Sequence, residues 1–282
     1  HMATTLATFA KQKDYLICVD SDGCAIDTMD IKHHTCFGPC MVEEWGLQQW
    51  AQPILARWNE INLYTMTRGI NRFKGLAMAL AEIDKQYTPI EGLPDLLAWV
   101  DSGAAPSNDA VEQAFKQTEN PIFAKALRWS KAVNKAIAAL PAESKKAFPG
   151  VIEALQAAHA AADVAVVSSA NRDAVVEEWG RYALLDSVDV LLCQDAGSKA
   201  HCIAGLIEKG YAPGHILMCG DAPGDKAAAE ANGVFFYPIL VRHEAESWAA
   251  FPEALAHLLD GSYSLYGAQK AQAFLDNLSG KA

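Results

Sequence analysis

The stretch Tyr15-Leu16-Ile17-Cys18-Val19-Asp20-Ser21-Asp22-Gly23 decides how the rest of the chain is read. An apolar run stops abruptly at two carboxylates spaced two apart, then a glycine. The run has the composition of a buried strand closed by a turn signal. Along a strand, residues i and i+2 share a face, so Asp20 and Asp22 are expected to project together at its carboxyl end. That end is where open α/β sheets take their ligands. Two adjacent carboxylates repel, and the pair costs free energy unless a cation or a proton is shared. A divalent metal would satisfy it. So would a division of roles, one carboxylate ionised as nucleophile and the other protonated as acid. A plain Asp-Gly turn after a core strand explains the same residues if they stand alone.

Outward from this stretch the pattern changes twice. Residues 25–147 hold almost no strand-like run. Helical spacing recurs over Phe73–Ala81, Ala110–Gln117 and Ile122–Leu140, punctuated by Pro89, Pro94, Pro106, Pro121 and Pro141, with a loop over Ser102–Asn108. From Pro149 the alternation of a parallel α/β sheet sets in. Helices are expected over Val151–Ala162, Arg172–Tyr182, Lys199–Lys209 and Lys226–Ala231, with strands over Val164–Val167, Val188–Cys193, Ile216–Cys219 and Val234–Tyr237. The tail from Ala245 reads as helical. The fold expected is therefore α/β, a Rossmann-like parallel-sheet core (residues 3–24 and 148–282) interrupted by an inserted all-α cap domain (residues 25–147).

Three further strand ends carry polar groups. Ser168, Ser169 and Asn171 follow Val164–Val167 and precede a helix, where hydroxyls and helix-start N–H groups can hold an anion; an ordinary N-cap uses the same residue types. Gly197-Ser198-Lys199 follows the next strand, and the lysine could neutralise a transferring phosphoryl group or simply be solvated. Gly220-Asp221-Ala222-Pro223-Gly224-Asp225 ends an apolar strand in two more carboxylates. Magnesium favours oxygen ligands, often one or two carboxylates plus phosphate, while an acidic first helical turn is also what the helix dipole favours.

The order Asp-x-Asp-Gly, Ser, Lys, Gly-Asp-x-x-x-Asp, each after a strand, resembles the haloacid dehalogenase-like hydrolase superfamily. The resemblance covers residues 14–24 and 148–240. It implies that Asp20 is a nucleophile taking the phosphoryl group as an aspartyl-phosphate, and that Asp22 protonates the leaving oxygen and then activates water. It implies that Ser168 hydrogen-bonds the phosphoryl group and Lys199 balances its charge. Asp20, Asp22 through its carbonyl, and Asp221 would hold Mg²⁺, with Asp225 supporting the metal shell or Lys199. Cys24 departs from the threonine frequent after this Asp-Gly. The insert after the first motif, with Asp22-Gly23-Cys24-Ala25-Ile26-Asp27-Thr28, is similar to the helical-cap phosphatase and β-phosphoglucomutase branch. The activity so implied is a Mg²⁺-dependent phosphatase for a small phosphorylated metabolite such as a sugar phosphate. The alternatives are a phosphomutase with the same nucleophile and a non-catalytic phosphometabolite-binding module.

Within the insert, Thr67-Arg68-Gly69-Ile70-Asn71-Arg72-Phe73-Lys74 packs three cations around a glycine, making Arg68 and Arg72 candidates for gripping the substrate's far end; a solvated charged turn reads equally well. His33-His34-Thr35-Cys36-Phe37-Gly38-Pro39-Cys40 has metal-ligand residue types without a zinc spacing, and a buried helix-and-turn reading is preferred. Trp45, Trp50, Trp58 and Trp129 read as core. The chain has 282 residues and a net charge of −11. That charge argues against nucleic-acid partners and requires any phosphate site to be locally cationic. No stretch is long and apolar enough for a membrane span. Seven cysteines in irregular spacing suggest reduced thiols and a cytoplasmic location. His1-Met2 reads as a cloning scar.

Overall fold

The computed structural model describes residues 2–280. His1 of the scar and the last two residues of the expected core span lie outside the described residues. The chain divides into two compact units. One comprises the chain up to Thr28 and from Ala142 onward; the other is Met29–Pro141.

Among the described residues seven strands form: β1 (Leu16–Val19), β2 (Ile26–Asp27), β3 (Lys146–Ala147), β4 (Asp163–Val167), β5 (Val190–Leu192), β6 (Ile216–Gly220) and β7 (Phe235–Pro238). Five of them make one sheet in the order β5-β4-β1-β6-β7, every pairing parallel. β1 and β4 are buried along their whole length, as are β5 and β6. Such continuous apolar runs are what a parallel sheet covered on both faces demands. β2 and β3 pair separately as a two-residue antiparallel ribbon. The insert reading therefore needs one amendment: strand pairing extends to Ile26–Asp27 and Lys146–Ala147, both inside residues 25–147.

The Met29–Pro141 unit is helical: α1 (Met29–Lys32), α2 (Gly38–Glu44), α3 (Ala51–Asn59), α4 (Arg72–Gln86), α5 (Leu93–Val100), α6 (Asn108–Thr118) and α7 (Pro121–Ala138). Its own core gathers Phe37, Trp58, Phe73, Phe123 and Trp129. Trp58 and Trp129 are fully buried, and Trp45 and Trp50 pack partly buried against the same core. His33–Phe37 is a π-helical turn between α1 and α2. There His33 stacks on Phe37 with ring centroids 4.5 Å apart, and its Nδ1 accepts from Trp58 Nε1 at 3.2 Å. The helix-and-turn expectation for this run agrees with that.

The other unit continues with α8 (Val151–Ala161), α9 (Arg172–Arg181), α10 (Lys199–Ile207), α11 (Pro223–Ala231), α12 (Glu244–Ala249), α13 (Phe251–Asp260) and α14 (Tyr263–Leu278). α11 begins three residues before the sequence expectation, because Pro223 fits the first helical position, where no N–H is needed. Strand order reverses at β1, between β4 and β6. The crevice at the carboxyl ends of these three strands is the expected ligand position of such a sheet.

At the opposite end of the sheet a buried carboxylate ties down the chain before β1. Asp163 Oδ2 accepts from the N–H groups of Gln12 (2.9 Å) and Lys13 (3.0 Å) and from the Tyr211 hydroxyl (2.6 Å). Tyr211→Phe removes one of these donors and leaves the ring. It should destabilise the protein by about 1 kcal/mol, read as a lower urea midpoint at unchanged slope; an unchanged midpoint would mean the hydroxyl contributes nothing.

Candidate active site

The crevice collects the polar strand ends. Asp20 follows β1, Ser168 follows β4, and Asp221 follows β6; all three are buried. Lys199 opens α10, beyond β5, and Asp225 lies in the first turn of α11.

Asp20, Asp221 and Asp225 each offer an oxygen within 4.8 Å of the others. Into this cluster reaches Lys199 Nζ, 3.1 Å from Asp20 Oδ1 and 2.5 Å from Asp225 Oδ1. Asp225 is fully buried, and its other oxygen accepts from the N–H groups of Asp221 (3.0 Å) and Ala222 (3.1 Å). Both its carboxylate oxygens are thus engaged, and it holds Lys199 and the Gly220–Ala222 turn in place. Gly220 is required for this: a Cβ there would fall 2.3 Å from Asp225 Cβ. The oxygen-only donor set of Asp20 and Asp221, beside Asp225, suits a hard cation such as Mg²⁺. Among the described residues no other group of three His, Cys, Asp or Glu could hold a metal ion, so His33, His34, Cys36 and Cys40 do not form one.

Asp22 is positioned differently from the strand-face expectation. β1 stops at Val19, and residues 20–25 fold as a turn leading into β2 rather than continuing the strand. The Ser21 carbonyl accepts from the N–H groups of Cys24, Ala25 and Ile26, which folds the chain back on itself. Gly23 takes φ of 73°, a conformation that favours glycine. Asp22 Oδ1 accepts from Thr28 Oγ1 at 2.7 Å. Alternation along a strand therefore does not orient Asp22; the turn and Thr28 do. Two indoles also reach this turn: Trp179 Nε1 donates to Ser21 Oγ and Trp248 Nε1 to the Cys24 carbonyl, both at 2.8 Å. Sequence reasoning missed these donors. Only the Asp27-Thr28 pattern hinted at Thr28, and nothing local marked either tryptophan.

Ser168 Oγ accepts from the Ala170 N–H at 3.0 Å, so what it can offer a ligand is its own O–H. Ser169 is exposed. Asn171 is the N-cap of α9, its side chain accepting from the Asp173 N–H at 2.9 Å. In the helical unit, Arg68 is buried and donates to the Leu63 carbonyl (2.9 Å). Arg72 Nη1 donates to Ser130 O (3.2 Å), Ser130 Oγ (3.0 Å) and Asn134 Oδ1 (2.8 Å), and its guanidinium lies over the Phe37 ring at 5.0 Å.

The electrostatics follow from three carboxylates sharing one ammonium in a buried site. Burial raises the Asp20 pKa well above the ordinary carboxylate value; Asp225 and Asp221 add to this, and Lys199 opposes it. Burial alone would push the Lys199 ammonium down, but Asp20 and Asp225 outweigh it and hold the lysine charged.

A model of the family described as haloacid dehalogenase-like hydrolase matches residues 103–239. That span holds Ser168, Lys199, Asp221 and Asp225, and begins after Asp20 and Asp22. No curated protein matches the chain by sequence. Among solved structures, a haloacid dehalogenase-like family hydrolase from Streptococcus pneumoniae aligns with a TM-score of 0.54 at 12% identity, over 86% of this chain and 97% of that one. A haloacid dehalogenase-like family hydrolase from Xanthomonas campestris aligns with a TM-score of 0.52 at 16% identity, over 97% and 100%. At such identities these two likenesses bear on the fold.

The raised Asp20 pKa has a testable sign. Between the unfolded carboxylate range and the folded value, the folded state holds a proton that the unfolded state has lost. Stability from this group is therefore greatest below about pH 4 and falls as pH rises through the folded pKa. With chelator present, Asp20→Asn should flatten that decline and gain about 0.5–2 kcal/mol near neutrality, as relief of a strained functional site commonly does. Thermal unfolding between pH 4 and 8 measures it; a variant less stable than wild type near neutrality would contradict the charge assignment.

Proposed function

The chain belongs to the haloacid dehalogenase-like hydrolase superfamily, and from that premise we propose that it is a Mg²⁺-dependent phosphatase acting on a small phosphorylated metabolite, such as a sugar phosphate, through an aspartyl-phosphate. The observation that carries the reading is Lys199 bridging the buried Asp20 and Asp225, with Asp221 beside them. Phosphoryl transfer needs positioning and charge neutralisation more than elaborate covalent chemistry. A carboxylate held beside an ammonium and two further carboxylates is built for that.

On this reading Asp20 attacks phosphorus, and the bond to the leaving oxygen breaks as Asp22 hands that oxygen its proton. Asp22, now ionised, takes a proton from water; the water oxygen attacks phosphorus, and inorganic phosphate leaves Asp20 free again. The Ser21 N–H (2.8 Å) and Lys199 both fix Asp20 Oδ1, which restrains the carboxylate for attack. Lys199 also offsets charge on the transferring group, and the Ser168 O–H donates to one of its oxygens. Asp20, the Asp22 carbonyl and Asp221 are assigned to hold Mg²⁺, with Asp225 in support; when bound, the ion neutralises charge on the phosphoryl oxygens. Ser169, Asn171, Arg68 and Arg72 are proposed as substrate contacts. The braced guanidinium of Arg72 supports its part in this, since a fixed fork recognises an anion at low ordering cost.

Seven free cysteine thiols support a cytoplasmic setting, and among the described residues no helix is long and apolar enough to cross a membrane.

The test is hydrolysis across a panel of phosphorylated metabolites. Turnover should require added Mg²⁺ and cease with chelator. Asp20→Asn should lower kcat by at least about 10³-fold, the scale expected when an essential nucleophile is removed, while the protein stays folded by circular dichroism. Wild-type rates in this variant would end the aspartyl-phosphate reading. Conversion of one phosphosugar into an isomer, without phosphate release, would replace hydrolysis by mutase chemistry.

A further inference from the structure

Trp179 lies near the end of α9, the helix that follows Ser168, and is completely buried. A buried indole N–H needs an acceptor. Here it finds Ser21 Oγ at 2.8 Å, across 158 positions of sequence. Ser21 is itself completely buried and stands between Asp20 and Asp22. Its other polar groups are all spent on the same turn. Its N–H donates to Asp20 Oδ1 at 2.8 Å, and its carbonyl accepts from Cys24 (3.2 Å), Ala25 (3.0 Å) and Ile26 (3.0 Å). The residue thus joins the Asp20 carboxylate, the fold of the turn bearing Asp22, and the helix leading away from Ser168.

A small apolar residue would fill the space at Ser21 as well as serine does. The hydroxyl is specific to the indole. We infer that Trp179, through its hydrogen bond to Ser21, is a positioning residue that fixes the turn carrying Asp20 and Asp22 in its reactive geometry; this rests on the roles proposed above for those two carboxylates. Trp248 braces the far side of the same turn through the Cys24 carbonyl. Without the Trp179 bond, the turn keeps its backbone hydrogen bonds but loses the tie that anchors Ser21 to α9. The carboxylates then sample unproductive orientations. Substrate binding, which does not need their alignment, is spared.

The test is a double-mutant cycle with full-length protein, Mg²⁺ and p-nitrophenyl phosphate. Trp179→Phe removes the donor and keeps most of the apolar volume; Ser21→Ala removes the acceptor alone. Each should lower kcat about tenfold, as for loss of one buried hydrogen bond, with KM changed less than twofold. The double variant should lose no more than either single one, because both remove the same bond. A residue that merely fills space would cost the same in either background, so multiplicative losses, or an unchanged kcat, overturn the inference. Indole proton exchange, followed by nuclear magnetic resonance, gives a readout independent of turnover: the Trp179 N–H should be protected in wild type and exchange faster in Ser21→Ala. If Trp179→Phe fails to fold, the kcat and exchange of Ser21→Ala decide. A protected indole in a wild-type protein that hydrolyses no phosphate ester would sink the phosphatase reading, and the positioning role with it, while the bond itself would stand. An active wild type whose indole exchanges freely would sink the inference alone.

Discussion

Three carboxylates buried around one ammonium set the terms for this structure. The Lys199 contacts to Asp20 and Asp225 set an ammonium against carboxylates that burial and their mutual charge otherwise disfavour. Taken out of water, such a set is costly. The fold carries that cost because five parallel strands, continuous and apolar, bury enough surface to hold strand ends that oppose one another electrostatically. Perturbed ionisation concentrated at one crevice is a common mark of a functional site. Here it coincides with the reversal of strand order at β1.

The support for that cluster is layered, and each layer is a backbone solution to a side-chain problem. Asp225 can lie against β6 because Gly220 has no Cβ, and it satisfies two N–H groups of the turn that presents Asp221. Lys199 enters from the start of α10, where Ser198 caps the helix by accepting from the His201 N–H at 3.1 Å. Asp22 comes from a turn rather than a strand, so its placement depends on the Ser21 carbonyl, on Thr28 and on Gly23. Rigid elements hold the lysine and the Asp221–Asp225 turn, while a folded loop holds the carboxylate assigned to proton transfer. Precision in that loop is bought with buried donors from distant helices.

Which of these features could be read in advance follows from their range along the chain. The strand ends were visible because each apolar run stops at a polar group, and local patterning suffices to see that. Asp20, Ser168, Lys199, Asp221 and Asp225 belong to this class. The parallel sheet was visible for the same reason, while α11 starts three residues earlier than expected, at Pro223. The route from Asp20 to Asp22 was misjudged, since alternation assumes a strand that hydrogen bonding ends at Val19. The ribbon of Ile26–Asp27 with Ala147–Lys146 was missed because each half is two residues long and its partner lies far away. Trp179 and Trp248 were invisible on the same ground: their acceptors are 158 and 224 positions distant. Arg72 shows the same limit. The composition of the cation cluster does not show that Ser130 and Asn134, 58 and 62 positions away, brace its guanidinium.

The central claim is that the buried cluster exists to present Asp20 to a phosphoryl group. A crystal structure with Mg²⁺ and beryllium fluoride tests it without knowledge of the substrate, because trifluoroberyllate mimics a phosphoryl group bonded to a carboxylate. The account expects beryllium bonded to an Asp20 oxygen, fluorine atoms near Lys199 and the Ser168 hydroxyl, and a metal ion at Asp20 and Asp221. A cluster that takes neither beryllium nor metal, with Lys199 still closed on Asp20 and Asp225, would contradict it and leave the three carboxylates with a purely structural part.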